Sequence, residues 1–138
     1  MREELIARAG EMVSRSLRGS GCCTLALLDE DGCPHASTIT PSAVDGIRTV
    51  YLCTGLGSRT ASISACSKAS LCFNSMEYNV TLLGSVEVST DAALKREMWY
   101  DGLKNHFSGP EDEGYCVFRF QTERYSLLAC WQQARGRL

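Results

Sequence analysis

Apolar and polar positions in the first part of the chain change from a helical period to a strand period. Residues 2–17 place apolar side chains three and four positions apart, at Leu5, Ile6, Ala9, Met12, Val13 and Leu17. This spacing predicts an amphipathic helix over residues 1–18, and the glycines of Leu-Arg-Gly-Ser-Gly end it. Alternating positions then flank Asp31-Gly32, a dipeptide typical of tight hairpin turns. The pattern therefore predicts one helix followed by a two-stranded hairpin.

The rest of the chain has the pattern of further strands separated by two helices. Strands are predicted at 47–54, 69–75, 79–89 and within 115–131, with a bend at Gly84 in the third of them. One helix is predicted over about ten residues after Gly57, and another from Ser89 or Thr90 to Phe107. Leu94, Met98 and Leu103 are expected to face the core. Residues 132–138 are polar, and we expect them to form a flexible tail.

The order of these elements indicates the fold class. Neighbouring strands follow one another as hairpins, and no repeat or linker divides the 138 residues. We therefore expect a single α+β domain over residues 1–138, an antiparallel β-barrel with flanking helices.

Charge and hydropathy exclude two classes of partner. The chain carries 14 basic and 16 acidic residues, with a net charge of -2 and no block of either sign. It therefore lacks the basic surface of a nucleic-acid-binding protein. No apolar run is long enough to cross a bilayer, and acidic residues interrupt the N-terminal apolar pattern, so no signal peptide is predicted. We expect a cytoplasmic protein with no membrane partner.

The eight cysteines do not form a metal or redox motif, because no two of them are spaced as Cys-x-x-Cys. Cys53, Cys72 and Cys116 lie inside apolar runs, where a free thiol packs as a small hydrophobic group. We expect reduced cysteines and no metal site.

The segment 50–64, Val-Tyr-Leu-Cys-Thr-Gly-Leu-Gly-Ser-Arg-Thr-Ala-Ser-Ile-Ser, carries the candidate chemistry. A strand ends at Thr54, two glycines follow, and Ser58 and Arg59 begin a helix. A helix start with a hydroxyl and a guanidinium is suited to binding a phosphate. The same residues also fit a tight turn in which Ser58 only caps the helix. The segment lacks the lysine of a P-loop and the third glycine of a dinucleotide-binding loop.

Five segments in order carry a resemblance to a known family. They are DEDGCPH, LCTGLGSRT, ASISACS, ASLCF and YNVTLLGSVEV, and they lie within a run from Thr24 to about Arg124 that carries the resemblance as a whole. This arrangement resembles the pyridoxamine 5'-phosphate oxidase-like family of FMN-binding split barrels, and it is most similar to the general-stress-protein branch. The resemblance implies an antiparallel split β-barrel and a homodimer with FMN bound at the interface. It also implies a small oxidoreductase that uses a small-molecule substrate or electron donor.

The resemblance further implies which residues hold the cofactor. They are Thr38, Ile39, Thr40, Thr54, Ser58, Arg59, Thr60 and Asn79. In this assignment Ser58 and Arg59 hold the phosphate, and Thr54 and Asn79 contact the flavin. Residues 38–40 offer backbone groups to the polar edge of the flavin ring. No catalytic side chain is assigned.

Three positions depart from the family pattern. Thr60 stands where the family has a phosphate-binding lysine, and Ser37 and Ser42 stand where the oxidases have an arginine and a lysine. These departures keep an alternative open, a non-catalytic binding or redox-sensing module on the same fold that holds FMN, haem or a deazaflavin.

Overall fold

The structure, a computed structural model, describes residues 2–129 and 131–138. Met1, the first residue of the predicted helix 1–18, and Cys130 lie outside the described residues. The helices are α1 (Arg2–Ser14), α2 (Ser58–Ala65) and α3 (Ala92–Met98), with 3₁₀ turns at Leu17–Gly19 and Asp101–Asn105. The strands are β1 (Cys23–Leu28), β2 (Pro34–Asp45), β3 (Thr49–Gly55), β4 (Lys68–Asn74), β5 (Tyr78–Ser89), β6 (Tyr115–Ala129) and β7 (Gln132–Arg137). None of the described helices is long and apolar enough to cross a membrane.

Six strands close into an antiparallel barrel. Their order is β3-β2-β1-β4-β5-β6, and β6 pairs back onto β3 to complete the ring. Every strand pair is antiparallel. The predicted fold class, an α+β antiparallel split barrel with flanking helices, is confirmed.

Alternate residues of each strand point into the barrel and form its core. Leu25, Leu52, Leu71, Leu82 and Phe118 are fully buried in one cluster, which α1 covers from one side. The α1 side chains that reach this cluster are Leu5, Ala9, Met12 and Val13, as the helical spacing predicts.

Gly84 marks a bulge in β5. The pairing of β5 with β6 shifts register between Leu83 and Gly84. A Cβ atom at Gly84 would lie 1.8 Å from the carbonyl oxygen of Gln121, so the strands can approach this closely only at a glycine. The bend predicted at this residue is confirmed.

The C-terminal residues differ from the flexible tail expected for 132–138. Gln132–Arg137 forms β7, which pairs with residues 124–129 of β6. Residues 115–121 of the same strand pair with β3, so β7 continues the ladder along β6 beyond the end of β3. The hydrogen bonds between paired strands join backbone atoms and do not require alternating apolar side chains. The polar sequence of β7 therefore carries no strand pattern, and the strand was not predicted.

The third helix is shorter than predicted. It begins after Asp91, whose carboxylate accepts from the backbone N–H of Leu94 at 3.0 Å, so neither Ser89 nor Thr90 is the N-cap. It ends at Met98, because Trp99 is extended (φ -62°, ψ 139°), and a separate 3₁₀ turn follows. The single helix predicted to run to Phe107 is therefore wrong, although Met98 and Leu103 are buried as expected.

Side chains from elsewhere in the fold hold the end of α3. The Arg18 guanidinium donates to the carbonyl oxygens of Glu97 (3.2 Å) and Trp99 (3.4 Å). The hydroxyl of Ser42 donates to the Met98 carbonyl oxygen at 2.6 Å. These tertiary bonds satisfy carbonyls that a longer helix would satisfy internally, and they fix the break at Trp99.

Candidate functional site

Arg59 joins the strands on which the candidate residues lie. Helix α2 follows β3 directly, and β3 pairs with β2, so the first turn of α2 faces the middle of β2. The Arg59 guanidinium donates to Ser37 Oγ at 3.3 Å, to the Thr38 carbonyl oxygen at 3.1 Å and to Thr54 Oγ1. The structure thus brings Thr38, Thr54 and Arg59 together.

Within the described part of the chain, the guanidinium of Arg59 has no acidic partner. The one ion pair among residues 2–129 and 131–138 joins Lys104 and Asp101 on the surface. Arg59 is half-buried, and burial lowers its pKa from the ordinary value for an arginine. Three of the five N–H groups of a guanidinium are used by Ser37, Thr38 and Thr54, which leaves donors for a ligand. A partly desolvated cation with free donors is suited to binding an anion.

Two cavities meet at this guanidinium. The first cavity, about 560 Å³, lies between α2 and the β1–β2 hairpin. The second cavity, about 580 Å³, lies between the β2–β3 pair and the 3₁₀ turn Asp101–Asn105. Arg59 lines both, and it is the only lysine or arginine among the described residues that line either one. Both volumes are ordinary for sites that bind small molecules.

Six of the eight predicted cofactor residues line these cavities. Thr38, Ile39, Thr40 and Thr54 line the second cavity, Ser58 lines the first, and Arg59 lines both. The remaining two, Thr60 and Asn79, line neither.

Thr60 and Asn79 are engaged in local hydrogen bonds. The Thr60 hydroxyl accepts from the Gly57 N–H at 3.1 Å and donates to the Gly57 carbonyl oxygen at 2.6 Å, so it caps α2. Asn79 lies on the outer face of β5, where its Oδ1 accepts from Cys72 Sγ at 3.3 Å and its Nδ2 donates to Thr81 Oγ1 at 2.9 Å. Their assignment to the cofactor stays a prediction.

The three positions that depart from the family pattern all have internal partners. Ser37 accepts from Arg59, Ser42 donates to the Met98 carbonyl, and Thr60 caps α2. Ser42 is only 1% exposed, so its side chain cannot reach either cavity. These positions have taken on structural roles, and Arg59 is left as the cation of the site.

The structure adds residues that the sequence analysis did not assign to a site. Tyr100, Gly102, Leu103, His106 and Phe107 form the far wall of the second cavity. They reach this cavity because α3 ends at Met98 and a separate 3₁₀ turn follows. The sequence signal for this wall was its aromatic residues. The sequence analysis placed them on one continuous helix, which would have pointed the rings in several directions, so it did not predict that they line one cavity.

The thiol in the second cavity is not a nucleophile. Burial raises the pKa of Cys53, and its Sγ donates to the Met98 carbonyl oxygen at 3.5 Å. A protonated thiol bonded to the backbone has little nucleophilic character. Among the described residues, no group of three or more His, Cys, Asp or Glu side chains is arranged to hold a metal ion.

Solved structures of other proteins share this fold. A protein related to general stress protein 26, from Clostridium acetobutylicum, superposes with a TM-score of 0.88 at 20% identity and covers 100% of this chain and 97% of its own. General stress protein 26 from Bacillus anthracis gives a TM-score of 0.75 at 18% identity, covering 94% of this chain and 98% of its own.

A haem-binding protein from Mycobacterium smegmatis has the same fold, with a TM-score of 0.73 at 19% identity. The similarity covers 96% of this chain and 57% of that protein. At these identities the similarities establish the fold.

Sequence comparison establishes the family. Comparison with curated proteins finds no match, and the family is shown instead by a family profile. The profile of pyridoxamine 5'-phosphate oxidase matches residues 10–129, which include the barrel strands β1 to β6, helix α2 and Arg59. The chain therefore belongs to the pyridoxamine 5'-phosphate oxidase family.

Proposed function

We propose that this chain is a flavoprotein that binds FMN at Arg59 and acts as a small oxidoreductase. The observation that carries the proposal is the half-buried guanidinium of Arg59, which has no carboxylate partner among the residues that the structure describes and lies where two cavities meet. Membership of the family supports flavin as the ligand. A phosphate would supply the missing negative charge, and the second cavity has room for a ring system.

In the proposed site, the phosphate and the ring system of FMN lie on opposite sides of Arg59. Arg59 and Ser58 hold the phosphate, together with the backbone N–H groups in the first turn of α2. Thr54 and residues 38–40 face the ring system from one wall of the second cavity, and Phe107 and Tyr100 face it from the other. FMN, when bound, supplies hydride or electron transfer. The protein orients the ring and shields it from water, and no side chain acts as a nucleophile.

The outer face of the barrel supports a homodimer. Thr24, Cys72, Thr81 and Ser126 are partners across β1, β4, β5 and β6, so their small side chains form a row across the sheet. All but Thr24 are half-buried. Such a row leaves a flat surface that a second copy can approach closely, and we propose that the partner completes the flavin site there.

Absorption and size measurements test this proposal directly. Protein expressed with riboflavin supplied should show flavin bands, release FMN stoichiometrically on denaturation and elute as a dimer. Colourless protein that takes up neither FMN nor any other flavin would contradict the proposed function.

A non-catalytic haem-binding module is the second candidate. Its support is the shared fold of the Mycobacterium smegmatis haem-binding protein and the imidazoles of His35 in the first cavity and His106 in the second. A Soret band on addition of haemin, abolished by His35→Ala or His106→Ala, would favour this candidate over flavin.

A further inference from the structure

Lys95 is a buried cation that has no part in the proposed flavin site. It lies on α3, is only 7% exposed and lines neither cavity. It is the one lysine or arginine buried among residues 2–129 and 131–138, and no carboxylate in this part of the chain forms an ion pair with it. Burial of a charge is costly unless other groups stabilise it, and an apolar side chain of similar length would avoid this cost. The contacts of the ammonium group therefore indicate its role.

The ammonium group of Lys95 holds the loop 108–114. Its Nζ donates to the Asp112 carbonyl oxygen at 2.9 Å and lies over the Tyr115 ring, 5.4 Å from the ring centre. The Tyr115 hydroxyl in turn donates to the Lys95 carbonyl oxygen at 2.9 Å. Lys95 thus fixes the middle of the loop and the residue that follows it, through a charge-assisted hydrogen bond and a cation–π contact.

The Asp112 carboxylate closes the loop on itself. One of its oxygens accepts from the backbone N–H of Ser108 at 2.9 Å and from the Ser108 hydroxyl at 3.1 Å. The other oxygen accepts from the Gly114 N–H at 2.8 Å. The backbone bonds from Ser108 and Gly114 hold the pKa of Asp112 below its ordinary value, so the carboxylate is ionised at neutral pH. The loop is therefore a closed unit, and Lys95 attaches it to α3.

The two ends of this loop meet the second cavity. Phe107, just before the loop, lines that cavity, and its ring packs against the Tyr115 ring with 5.3 Å between the ring centres. At the other end, the Gly114 carbonyl oxygen accepts from the Leu56 N–H at 2.9 Å. Leu56 follows Gly55, which also lines the cavity. A Cβ at Gly55 would lie 3.4 Å from the Gly114 oxygen and 3.5 Å from the Phe107 ring, so the loop joins two residues of the cavity wall.

We propose that Lys95 and Asp112 are positioning residues for the flavin ring, and that through the loop 108–114 they hold Gly55 and Phe107 in place. Neither side chain contacts the ligand. The inference rests on the proposed function, since it requires the ring in the second cavity. A wall that is fixed before the ligand binds does not have to be ordered at the expense of affinity. Loss of either side chain loosens this wall and weakens binding of the ring.

Titration with FMN and with riboflavin tests this role. Lys95→Met keeps the length of the side chain and removes its charge and its donors. We expect it to weaken FMN and riboflavin by the same factor, about tenfold, because both ligands carry the ring. Arg59→Ala should instead weaken FMN alone, because riboflavin has no phosphate. Kd values come from quenching of flavin fluorescence, well below the unfolding temperature of each variant.

Amide hydrogen exchange of the flavin-free protein gives a second measurement, which does not depend on the ligand. In Lys95→Met the exchange rate should rise at the Leu56 amide, whose acceptor belongs to the loop, by a larger factor than at the Leu82 amide in the barrel core. A lysine that only stabilised the whole fold would raise both rates by the same factor.

Asp112→Ala is the second variant, and it keeps the test decisive if Lys95→Met does not fold. It should also weaken both flavins and speed exchange at Leu56. The matched controls are Arg96→Met on α3 and Glu113→Ala in the loop. Both residues are exposed and line neither cavity, so these substitutions should leave the affinities and the exchange rates unchanged.

The outcomes separate this inference from the proposed function. Folded Lys95→Met and Asp112→Ala variants that bind both flavins as the wild type does, or that lose affinity for FMN alone, would overturn the positioning role and leave the flavin site standing. A wild-type protein that binds neither flavin would overturn both.

Discussion

Arg59 is the residue on which the flavin proposal depends. Among the described residues Arg59 is the one lysine or arginine that lines the two cavities, and a hydrogen bond to a charged group is worth about 1.5–3 kcal/mol. We expect Arg59→Ala to weaken flavin binding by about tenfold to a hundredfold, measured by fluorescence titration. Arg59→Lys should recover part of this loss, because it restores the charge without the planar fork.

The matched control for Arg59 is Arg48. It is exposed, lies immediately before β3 and lines neither cavity. Arg48→Ala should leave the flavin affinity unchanged. Equal affinities for wild type and Arg59→Ala would show that the phosphate is not bound by this guanidinium, even if the protein still binds flavin.

The buried thiols make the folded state sensitive to alkaline pH. Burial raises the pKa of Cys23 from 9.0 to about 12 and that of Cys116 to about 11. Above pH 9 these thiols ionise in the unfolded chain but stay protonated in the folded one. The free energy of unfolding should therefore be constant below that pH and fall as pH rises toward 12, with Cys23 alone contributing about 1.4 kcal/mol per pH unit.

Urea unfolding at a series of pH values between 7 and 11 measures this effect. Cys23→Ala should flatten the decline, whereas Cys22→Ser should not, because Cys22 is exposed. A free energy of unfolding that rises between pH 9 and 11 would contradict the assignment.

For individual residues, the sequence predicted the candidate site only in part. Arg59 and Thr54 were identified from the segment that links a strand to a helix, and the structure places them in direct contact. The internal partner of Ser42 could not be predicted. The bond of Ser42 to the Met98 carbonyl depends on how residues 56 positions apart pack, and sequence spacing carries no such information.

Among the strands, β5 gives the clearest test of the fold. Alanine at Gly84 would place its Cβ against the Gln121 carbonyl, so the β5–β6 pair must separate at the bulge. We expect Gly84→Ala to lower the free energy of unfolding by about 2–3 kcal/mol in urea titration.

Gly109 provides the comparison for Gly84. A Cβ there would meet only the Glu111 side chain, at 3.7 Å, which is an ordinary contact. Gly109→Ala should therefore change stability by less than about 1 kcal/mol. If the two variants are equally stable, the bulge does not require glycine.

Elements with local signals were predicted well, and those that depend on distant partners were not. Asp31-Gly32 gave the first hairpin, and Gly84 gave the bend in β5. The break at Trp99 was missed because Arg18 and Ser42 create it from other parts of the chain. Strand β7 was missed because its stability comes from the β6 backbone and its sequence is polar.

For the whole molecule, the homodimer is the feature to test. A long charged side chain on the outer row of small residues should prevent a second copy from approaching. We expect Thr81→Arg to elute as a monomer and to bind flavin more weakly, while circular dichroism shows a folded barrel.

Ser64→Arg is the control, since it adds the same charge to an exposed position on α2. Ser126→Arg should behave as Thr81→Arg does, because Ser126 is its partner on β6. A dimer that persists in both outer-face variants would place the interface elsewhere.

The family and the fold could be inferred from the order of short motifs, whereas the shape of the site could not. The motifs fix which strands pair and where α2 begins. The second cavity also needs the 3₁₀ turn Asp101–Asn105, which carries no motif and is positioned by Arg18.

The ladder of β6 has a consequence for synthesis on the ribosome. This strand pairs with β3, β5 and β7, yet it begins only at Tyr115. Until β6 leaves the ribosome, β3 and β5 each present an unpaired edge that strands of other nascent chains can join. Barrel closure must therefore wait until β6 has been synthesised, and the two open strand edges favour aggregation during that interval.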